Sequence, residues 1–287
     1  MKVNTLKLTP SNYPDVLRQI SSPPKQLYWR GVPLEEVILK PRVAIVGSRK
    51  ATPYGRTITE DLATRLARAG VVIISGLAFG IDSYAHKATL AAGGCTIAVL
   101  PSPIQKVAPA THHHLAEQIV KNGGALTSEY SEHEDVHVVN FIARNRIVSG
   151  LADVLLITEA AKNSGSLHTA RFALEQGKTV MAVPGNINSP TSEGCNNLIK
   201  SGAVPVTGIE DVFFALGMDL QPKQAIKVFK GTSEQQLIYK LITQGIKDQE
   251  ELAQSSQMAV PQISSTLTTL ELQGYIRPIG AGSWTIA

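Results

Sequence analysis

One short segment constrains the fold more than any other part of this chain. Residues 43–49 read Val-Ala-Ile-Val-Gly-Ser-Arg, a run of apolar β-forming residues that ends on a glycine, a serine and an arginine. An amphipathic helix is predicted directly after it, over residues 54–69. This order of strand, turn and helix is typical of the first unit of a doubly wound α/β domain, in which ligands bind beyond the carboxyl ends of the strands.

The turn itself indicates which ligand to expect. The dinucleotide-binding fingerprint G-x-G-x-x-G would place glycines at positions 49 and 52, where this chain has Arg49 and Thr52. The second glycine of that fingerprint lets the backbone lie against a pyrophosphate, and a long cationic side chain prevents this. A guanidinium group together with backbone N–H groups binds a phosphate well. The segment therefore predicts a phosphate-binding crevice that takes no NAD, and no cofactor is expected.

The same alternation continues through the middle of the chain. Strands rich in Val, Ile and Leu that alternate with helices imply a mostly parallel sheet covered on both faces. We therefore predict an α/β fold with an extended Rossmann-like, doubly wound domain over residues 41–217. The predicted strands are 42–47, 71–75, 96–100, 125–128, 153–158, 179–183 and 203–206, and the predicted helices are 54–69, 81–92, 111–122, 137–149, 166–176, 192–201 and 209–216.

Further regions flank this predicted domain. Prolines interrupt residues 1–40, which we interpret as a small N-terminal extension of short helical pieces packed on the main domain. Residues 218–231 contain Gly, Pro, Gln and Lys and indicate a linker. Residues 232–287 show three helical patterns followed by a short hairpin, an order that predicts a small C-terminal winged-helix domain. The three helical patterns lie near 233–244, 248–255 and 260–273.

The third of these helices would be the recognition unit if the winged helix read DNA. Its predicted exposed positions carry no Lys or Arg, although a helix that enters a groove usually brings cations to the phosphates. This absence favours a protein-contact role for the domain over DNA reading. The exposed positions are predicted to be Gln262, Ser264, Ser265, Thr266, Thr268 and Thr269.

Charge and composition set further bounds. The net charge of +4 divides into +3 for residues 1–40 (six Lys/Arg, three Asp/Glu) and +1 for residues 41–211 (fifteen against fourteen), and the remainder is balanced. No segment has the dense basic stripe of a strong duplex binder. Two distant cysteines, Cys95 and Cys195, lack a metal-type spacing and favour reduced thiols. Because no apolar run approaches the ~20 residues of a membrane span and no signal-peptide pattern opens the chain, we expect a cytoplasmic protein without membrane contact.

The second strand–helix turn carries polar groups of its own. Gly76 and Gly80 permit a tight bend and leave backbone N–H groups free at the start of a helix. Asp82 and His86 share a helix face at i,i+4. An acid/base or metal-binding pair is one interpretation, and a capping aspartate that also orients the histidine is the favoured one. Three consecutive histidines, 112–114, point in different directions and fit a polar helix entrance better than a zinc site, so we predict no catalytic and no metal-binding residue.

A predicted helix near residue 145 supplies two guanidinium groups. Arg144 and Arg146 diverge by about 200° on a regular helix, so we expect one of them to meet a phosphate. The other would pair internally with a carboxylate such as Glu129 or Glu159. The alternative is that both arginines form surface or structural ion pairs. Phe141 either stacks on a base or belongs to the core.

Another candidate site opens the helix that follows the 153–158 strand. Lys162, Ser164, Gly165 and Ser166 combine a cation, two small hydroxyl groups and a glycine at a helix N-terminus, which is the composition of an anion-binding nest. The segment is not a P-loop, because G-x-x-x-x-G-K-[ST] is absent. An ordinary N-cap would explain Ser164 alone. The combination favours ligand binding.

Taken in order, these motifs resemble the DNA-processing protein A (DprA/Smf) family. The ordered set extends over about 160 residues, with a compatible N-terminal extension and C-terminal winged helix. The matching pieces are VGSR at 46–49, SGLAFGIDSYAH at 75–86, TIAVL at 96–100, SE at 128–129, RNRIVSGLAD at 144–153, EAAKNSGSLHTARFALEQGK at 159–178, VPGNI at 183–187 and GCNNLIKSGA at 194–203.

The resemblance implies a function in DNA processing. It implies a domain that binds single-stranded DNA without marked sequence preference, in a protein that is not an enzyme. It also implies a homodimer that protects incoming DNA and loads the RecA recombinase on it during natural transformation and homologous recombination. The DNA contacts implied are Ser48, Arg49, Phe141, Arg144, Asn145, Arg146, Lys162, Ser164, Gly165 and Ser166, and the turn glycines Gly76 and Gly80 complete the predicted site.

Two alternative functions belong to other classes. Residues 164–169 are similar to part of the P-G-G-x-G-T-x-x-E signature of nucleoside-monophosphate phosphoribohydrolases. With Thr169 aligned, however, the catalytic glutamate would stand at position 172, where this chain has Phe172, and that hydrolysis requires the carboxylate. A winged-helix transcription regulator is the other alternative, and the balanced charge of residues 225–287 argues against it.

Overall fold

The computed structural model of the protein describes residues 3–8, 13–218, 231–280 and 282–286. The chain divides into two units, Met1–Leu220 and Gln221–Ala287. The predicted linker, residues 218–231, lies outside the described residues except at its two ends. Within the described part of the chain, no helix combines the length and the apolar character that crossing a bilayer requires.

The first unit contains a nine-stranded sheet with the order β1-β2-β6-β5-β4-β3-β7-β8-β9. The strands from β3 to β9 pair in parallel, as predicted, whereas β1 and β2 are antiparallel to their neighbours. The strand order reverses between β3 and β7, and such a switch point opens a crevice at the carboxyl ends of the strands. The strands are β1 Asn4–Lys7, β2 Gln26–Gly31, β3 Arg42–Val46, β4 Val72–Ser75, β5 Thr96–Val99, β6 Ala125–Ser128, β7 Val154–Ile157, β8 Thr179–Ala182 and β9 Val204–Pro205.

Helices cover both faces of this sheet, which confirms the predicted layer architecture. In β3, Ala44 and Val46 belong to one apolar core cluster, and Val43 and Ile45 belong to the other. Alternate side chains of a strand point to opposite faces, so a strand buried on both faces is apolar throughout. The helices are α1 Asp15–Arg18, α2 Leu34–Val37, α3 Pro53–Arg68, α4 Ile81–Ala91, α5 His113–Lys121, α6 Val138–Ala143, α7 Asn145–Leu151, α8 Ser166–Glu175, α9 Glu193–Lys200 and α10 Ile209–Ala215.

The prediction for residues 1–40 was wrong in one respect. Two short helices are present, but β1 and β2 were not predicted, and they extend the sheet instead of lying on it. Tyr28 of β2 lies opposite Ser128 of β6 in an antiparallel pair. The partner strand is a hundred positions away, so this pairing leaves no periodic signal within residues 1–40.

The second unit is a winged helix, as predicted. Its core brings together Ile238, Leu252, Ile263 and Leu267, one or more from each of three helices. Thr266 was predicted to be exposed and is buried instead, with its hydroxyl donating to the carbonyl oxygen of Gln262. The elements are α11 Ser233–Thr243, α12 Gln249–Ser256, α13 Val260–Leu272, β10 Ile276–Gly280 and β11 Ser283–Ile286.

Candidate anion-binding cleft

A cleft of about 1010 Å³ lies at the carboxyl ends of β3 and β7, where the strand order reverses. It is lined by five separate segments, which lie within residues 46–50, 78–82, 138–145, 161–169 and 190–193. Gly76, Gly80 and Arg146 are not among its lining residues. The cleft brings together nine of the twelve predicted site residues, namely Ser48, Arg49, Phe141, Arg144, Asn145, Lys162, Ser164, Gly165 and Ser166.

The turn after β3 holds Arg49 in place by its backbone. The N–H of Ser48 donates to the carbonyl oxygen of Glu159 (2.8 Å), and its own carbonyl oxygen accepts from the N–H of Ile81 (3.1 Å). Gly80 has φ +72°, and a Cβ atom there would overlap the carbonyl oxygen of Ser48. This glycine therefore fits the second turn against the first, which is a structural reason for its place in the motif.

The Arg49 side chain is exposed and its guanidinium group lies 5.5 Å from the ring centroid of Phe141. Among the described residues, no carboxylate pairs with it. A cation stacked on an aromatic face keeps most of its N–H donors directed outward. Arg49 is therefore a pre-positioned, unneutralised guanidinium at the rim of the cleft.

Arg144 has a different environment, because it is only 3% exposed. Its guanidinium donates to the carbonyl oxygens of Gly76 (2.7 Å) and Val99, and Asp82 is the nearby countercharge. Burial lowers the pKa of Arg144 to about 10, and Asp82 opposes that shift. Arg144 thus connects the ends of β4 and β5 from beneath the cleft.

Arg146 has internal partners as well. It forms a two-pronged ion pair with Glu129, with both N···O distances 2.6 Å, and its Nε donates to the carbonyl oxygen of Ser22 (2.8 Å). The prediction that one arginine of the pair binds Glu129 is therefore confirmed. The companion prediction, that the other guanidinium meets a phosphate, stays a prediction. Arg144 lines the cleft, and its Nη1 donates to two carbonyl oxygens of the protein.

Gly76 differs from the prediction. Its N–H, expected to be free, donates to Asp82 Oδ2 (3.0 Å), and the N–H of Ala78 donates to the same oxygen (3.3 Å). Burial raises the pKa of Asp82, and Arg144 and these two N–H groups oppose the shift. Asp82 therefore caps the turn, as the favoured interpretation held.

Asp82 does not orient His86, in contrast to that interpretation. His86 Nδ1 lies 2.7 Å from Thr96 Oγ1, and the Thr96 hydroxyl donates its one proton to the carbonyl oxygen of Ile73. The Thr96 oxygen must therefore accept from His86 Nδ1–H, which leaves Nε2 unprotonated, buried and without a partner among the described residues. Burial lowers the pKa of His86 to about 3, with contributions from His112 and Arg144.

The remaining histidines confirm the predicted polar helix entrance. His113 and His114 are exposed. His112 packs its ring edge against Phe79, with a centroid distance of 4.8 Å, and its Nδ1 lies 2.8 Å from the carbonyl oxygen of Leu77. Across the described ranges, no group of three or more His, Cys, Asp or Glu side chains is placed to hold a metal ion.

Glu159 has a structural role that the sequence did not reveal. This buried carboxylate accepts from the N–H of Thr52 (2.9 Å) and from its hydroxyl (2.7 Å) at the start of α3. In a dinucleotide-binding fold, this helix N-terminus receives the pyrophosphate. Here a carboxylate of the protein already occupies it. An anionic ligand is therefore directed away from α3, toward Arg49 and the turn after β7.

That turn carries the nest predicted over residues 162–166. Lys162 extends into solvent, with its side chain 70% exposed and Nζ 3.5 Å from Glu193 Oε1. The hydroxyls of Ser164 and Ser166 lie 2.8 Å apart, and α8 begins at Ser166. The N–H of Gly165 has no hydrogen-bond partner within the described residues. Two hydroxyls and a free N–H therefore lie at the N-terminus of α8, and Lys162 lines the same cleft.

One part of the cleft wall is apolar. Val138, Phe141 and Ile142 of α6 line it, and Val138 is 85% exposed. Exposed apolar side chains that form one wall of a polar cleft indicate a ligand with apolar surface of its own. The cleft therefore suits a ligand that is anionic along one edge and apolar along the other.

Two family models match the chain. The model described as DNA recombination-mediator protein A matches residues 4–217, and the model described as DprA winged helix domain matches residues 224–282. Protein Smf of Escherichia coli (strain K12) is 40% identical over 253 residues, which are 84% of this chain and 67% of that protein. DNA processing protein DprA of Bacillus subtilis (strain 168) is 37% identical over 213 residues, 74% of this chain and 70% of that protein.

Two solved structures are also similar. The X-ray structure of DNA processing protein A from Streptococcus pneumoniae superposes with a TM-score of 0.68 at 36% identity, covering 74% of either chain. A structure of DNA processing protein A from Helicobacter pylori, described as giving insights into its single-stranded DNA binding mode, has a TM-score of 0.67 at 34% identity. That match covers 75% of this chain and 95% of the other.

Proposed function

The chain belongs to the DNA processing protein A (DprA/Smf) family, and we propose that it binds single-stranded DNA in the cleft between β3 and β7. The observation that carries this proposal is the exposed Arg49 guanidinium, which has no carboxylate partner among the described residues and stacks on Phe141 at the switch point of the sheet. The Helicobacter pylori relative, whose single-stranded DNA binding mode has been described, supports it.

The chemistry of the two walls fits the two sides of a DNA strand. Arg49 and the α8 nest around Lys162 would contact successive phosphates, each charge-assisted hydrogen bond contributing roughly 1.5–3 kcal/mol. Phe141 and Val138 would face the bases. Every base offers an apolar face to such a wall, so the contact does not select a sequence.

A crevice of this kind also favours a single strand over a duplex. Duplex DNA has a persistence length of ~50 nm and does not bend into a crevice at low cost. A single strand follows such a path readily and exposes its bases to the apolar wall. We therefore expect little duplex binding in this cleft.

Arg49→Ala provides the direct test of the proposal. Its affinity for an oligo-dT strand should fall about 10- to 100-fold, since one charge-assisted contact of roughly 1.5–3 kcal/mol is lost. The slope of log K against log salt should become shallower by about one. Arg65→Ala, which removes an exposed arginine that pairs with Asp61 on α3, is the matched control and should leave both quantities unchanged. Unchanged binding by Arg49→Ala would refute the role of the cleft.

The finer biological role rests on the family resemblance. We propose that the protein acts in the cytoplasm as a homodimer that protects incoming DNA and loads the RecA recombinase on it during natural transformation. Two copies on one strand would raise the apparent affinity without any new contact. Mass measurement of free and DNA-bound protein tests the dimer. RecA filament growth on single-stranded DNA, with and without the protein, tests loading, and an unchanged growth rate would contradict it.

We also propose that the protein is not an enzyme. Phe172 stands where the phosphoribohydrolase signature requires a carboxylate, and Glu159 is engaged by Thr52. Incubation with nucleoside monophosphates should release no free base. Base release that is lost in Glu159→Gln would contradict this assignment.

A further inference from the structure

A second cavity adjoins the cleft. It has a volume of about 560 Å³ and lies between the start of α3 and the loop of residues 184–192. Thr191 lines both the cavity and the cleft, so the two adjoin at this residue. The volume is within the range of ~300–1,000 Å³ that is common for small-molecule sites.

The charge at the base of this cavity excludes a phosphate. Glu159 lines it, and its buried carboxylate already occupies the N-terminus of α3 through Thr52. An anion placed here would meet a negative charge that is held in a largely dry environment, where like charges repel strongly. The occupant is therefore not an anion.

The walls offer an aromatic face and unused hydrogen-bonding groups. Tyr54 is fixed by its hydroxyl, which donates to the carbonyl oxygen of Pro184 (2.8 Å), and its ring is half-exposed. Ser192 is only 6% exposed, and its hydroxyl has no partner among the described residues. That hydroxyl is therefore available to the polar edge of a ligand in the cavity. An uncharged, planar and polar-edged ligand fits these walls.

We propose that this cavity receives a nucleobase of the strand whose backbone lies in the cleft. The inference rests on the proposed function, since the strand is what delivers the base past Thr191. The base would stack on Tyr54 and hydrogen-bond with Ser192, while its phosphates stay on the side of Arg49. The protein would then hold a strand at two kinds of position, on the apolar wall of α6 and in this cavity.

The test uses the full chain and oligo-dT strands of increasing length. Affinity of the unmodified protein should rise in a step of about tenfold at the length that first reaches the cavity, which is within the contribution of one stacked base. Asn186→Trp places a large ring at the exposed mouth of the cavity and should abolish that step. Ile187→Trp is the matched control, because Ile187 follows Asn186 in the sequence, is 90% exposed and does not line the cavity.

The length series also separates this inference from the proposed function. Arg49→Ala should weaken binding at every length, whereas Asn186→Trp should weaken only the strands beyond the step. A strand with one abasic position, moved along the sequence, should lose about tenfold at the position in the cavity. That loss should disappear in Asn186→Trp. Identical length profiles for Asn186→Trp and Ile187→Trp, or a step that survives both, would overturn the second base site.

Ser192→Ala gives an independent measure of the hydrogen bond. It should reduce the step by a few-fold and leave the affinity of the shorter strands unchanged. Thermal unfolding of the variant shows whether the fold is intact. If free thymidine saturates the cavity and the length series shows no step, the site binds a separate small molecule, and the inference for the strand is wrong.

Discussion

The charged groups beneath the cleft and those at its rim differ in what they are bound to. Arg144 and Asp82 lie below, both buried, and each is matched by backbone groups and by the other's charge. Arg49 and Lys162 lie at the rim and are exposed. Among the described residues, Arg49 has no carboxylate partner, and Lys162 has one, Glu193, at 3.5 Å. The buried pair, Arg144 and Asp82, fixes the ends of the strands. The exposed cations at the rim remain available to a ligand.

The two arginines show why a guanidinium in a motif does not by itself identify a ligand contact. A movement of Arg144 toward a phosphate that broke its Nη1 bonds would leave two carbonyl oxygens without their donor and would separate the guanidinium from Asp82. Arg49 would lose at most a ring contact with Phe141. An unpaired buried polar group costs roughly 1–3 kcal/mol, far more than an exposed cation–π contact contributes.

Arg144→Ala should produce the largest effect, and it should act on stability. It leaves the buried Asp82 carboxylate without its countercharge, which costs roughly 3–5 kcal/mol of the free energy of unfolding. Urea denaturation followed by circular dichroism measures this loss. Arg49→Ala, at an exposed position in the same cleft, should change the same quantity by less than about 0.5 kcal/mol. Equal stabilities for the two variants would contradict the distinction between structural charges beneath the cleft and available cations at its rim.

A double substitution sharpens this prediction. Arg144→Met combined with Asp82→Asn removes both buried charges and should recover part of the lost stability, because no charge is then left unpaired. A double variant as unstable as Arg144→Ala would show that the carbonyl contacts of the guanidinium, and not the charge pair, account for the loss.

His86 should make stability dependent on pH. Its pKa is about 3 in the folded protein against about 6.5 in an unfolded chain, so between these values only the unfolded state binds the proton. Stability is therefore fully present above pH 6.5 and falls as the pH decreases, by ~1.4 kcal/mol per unit. Between pH 6.5 and 5, the free energy of unfolding should decrease by about 2 kcal/mol less in His86→Gln than in the unmodified protein. The exposed His114→Gln should leave the loss intact, and a His86→Gln profile that matches the unmodified one would exclude His86 as its source.

The sequence predicted the strands of the parallel sheet well, because each is a local apolar run bounded by turn residues. The sequence did not predict pairs of strands or side chains whose two members are distant along the chain or in different elements. The strand β2 pairs with β6, and His86 takes Thr96 instead of Asp82, which stands at the favourable i,i+4 spacing. Local periodicity carries no information about such pairs.

In the candidate site as well, the local features were predicted and those that depend on distant parts of the chain were not. Residues on the turns, such as Arg49 and Lys162, were predicted to be together because turns at the carboxyl ends of parallel strands share one edge. The helix of residues 137–149 was predicted as one element, and Arg144 stands where it divides into α6 and α7. Burial of Arg144 depends on β4 and β5 together, so its environment emerges only from the folded sheet.

The smallest expected effect concerns the only carboxylate that pairs with a cation at the rim within the described residues. Glu193 Oε1 lies 3.5 Å from Lys162 Nζ, and both side chains are largely exposed, so the pair itself contributes roughly 0–1 kcal/mol. Glu193→Gln should raise affinity for oligo-dT about two- to fivefold at low salt, because it frees Lys162 and removes a charge that repels phosphate.

The increase should diminish at high salt, where exposed charges are screened. In a Lys162→Ala background the same substitution should give a smaller gain, since only the repulsion of phosphate is then relieved. Equal gains in the two backgrounds would mean that Glu193 acts on the strand alone, and that Lys162 is as free as Arg49 before DNA arrives. The rim would then hold two equivalent cations, and the two single alanine variants, Arg49→Ala and Lys162→Ala, should show equal losses of affinity.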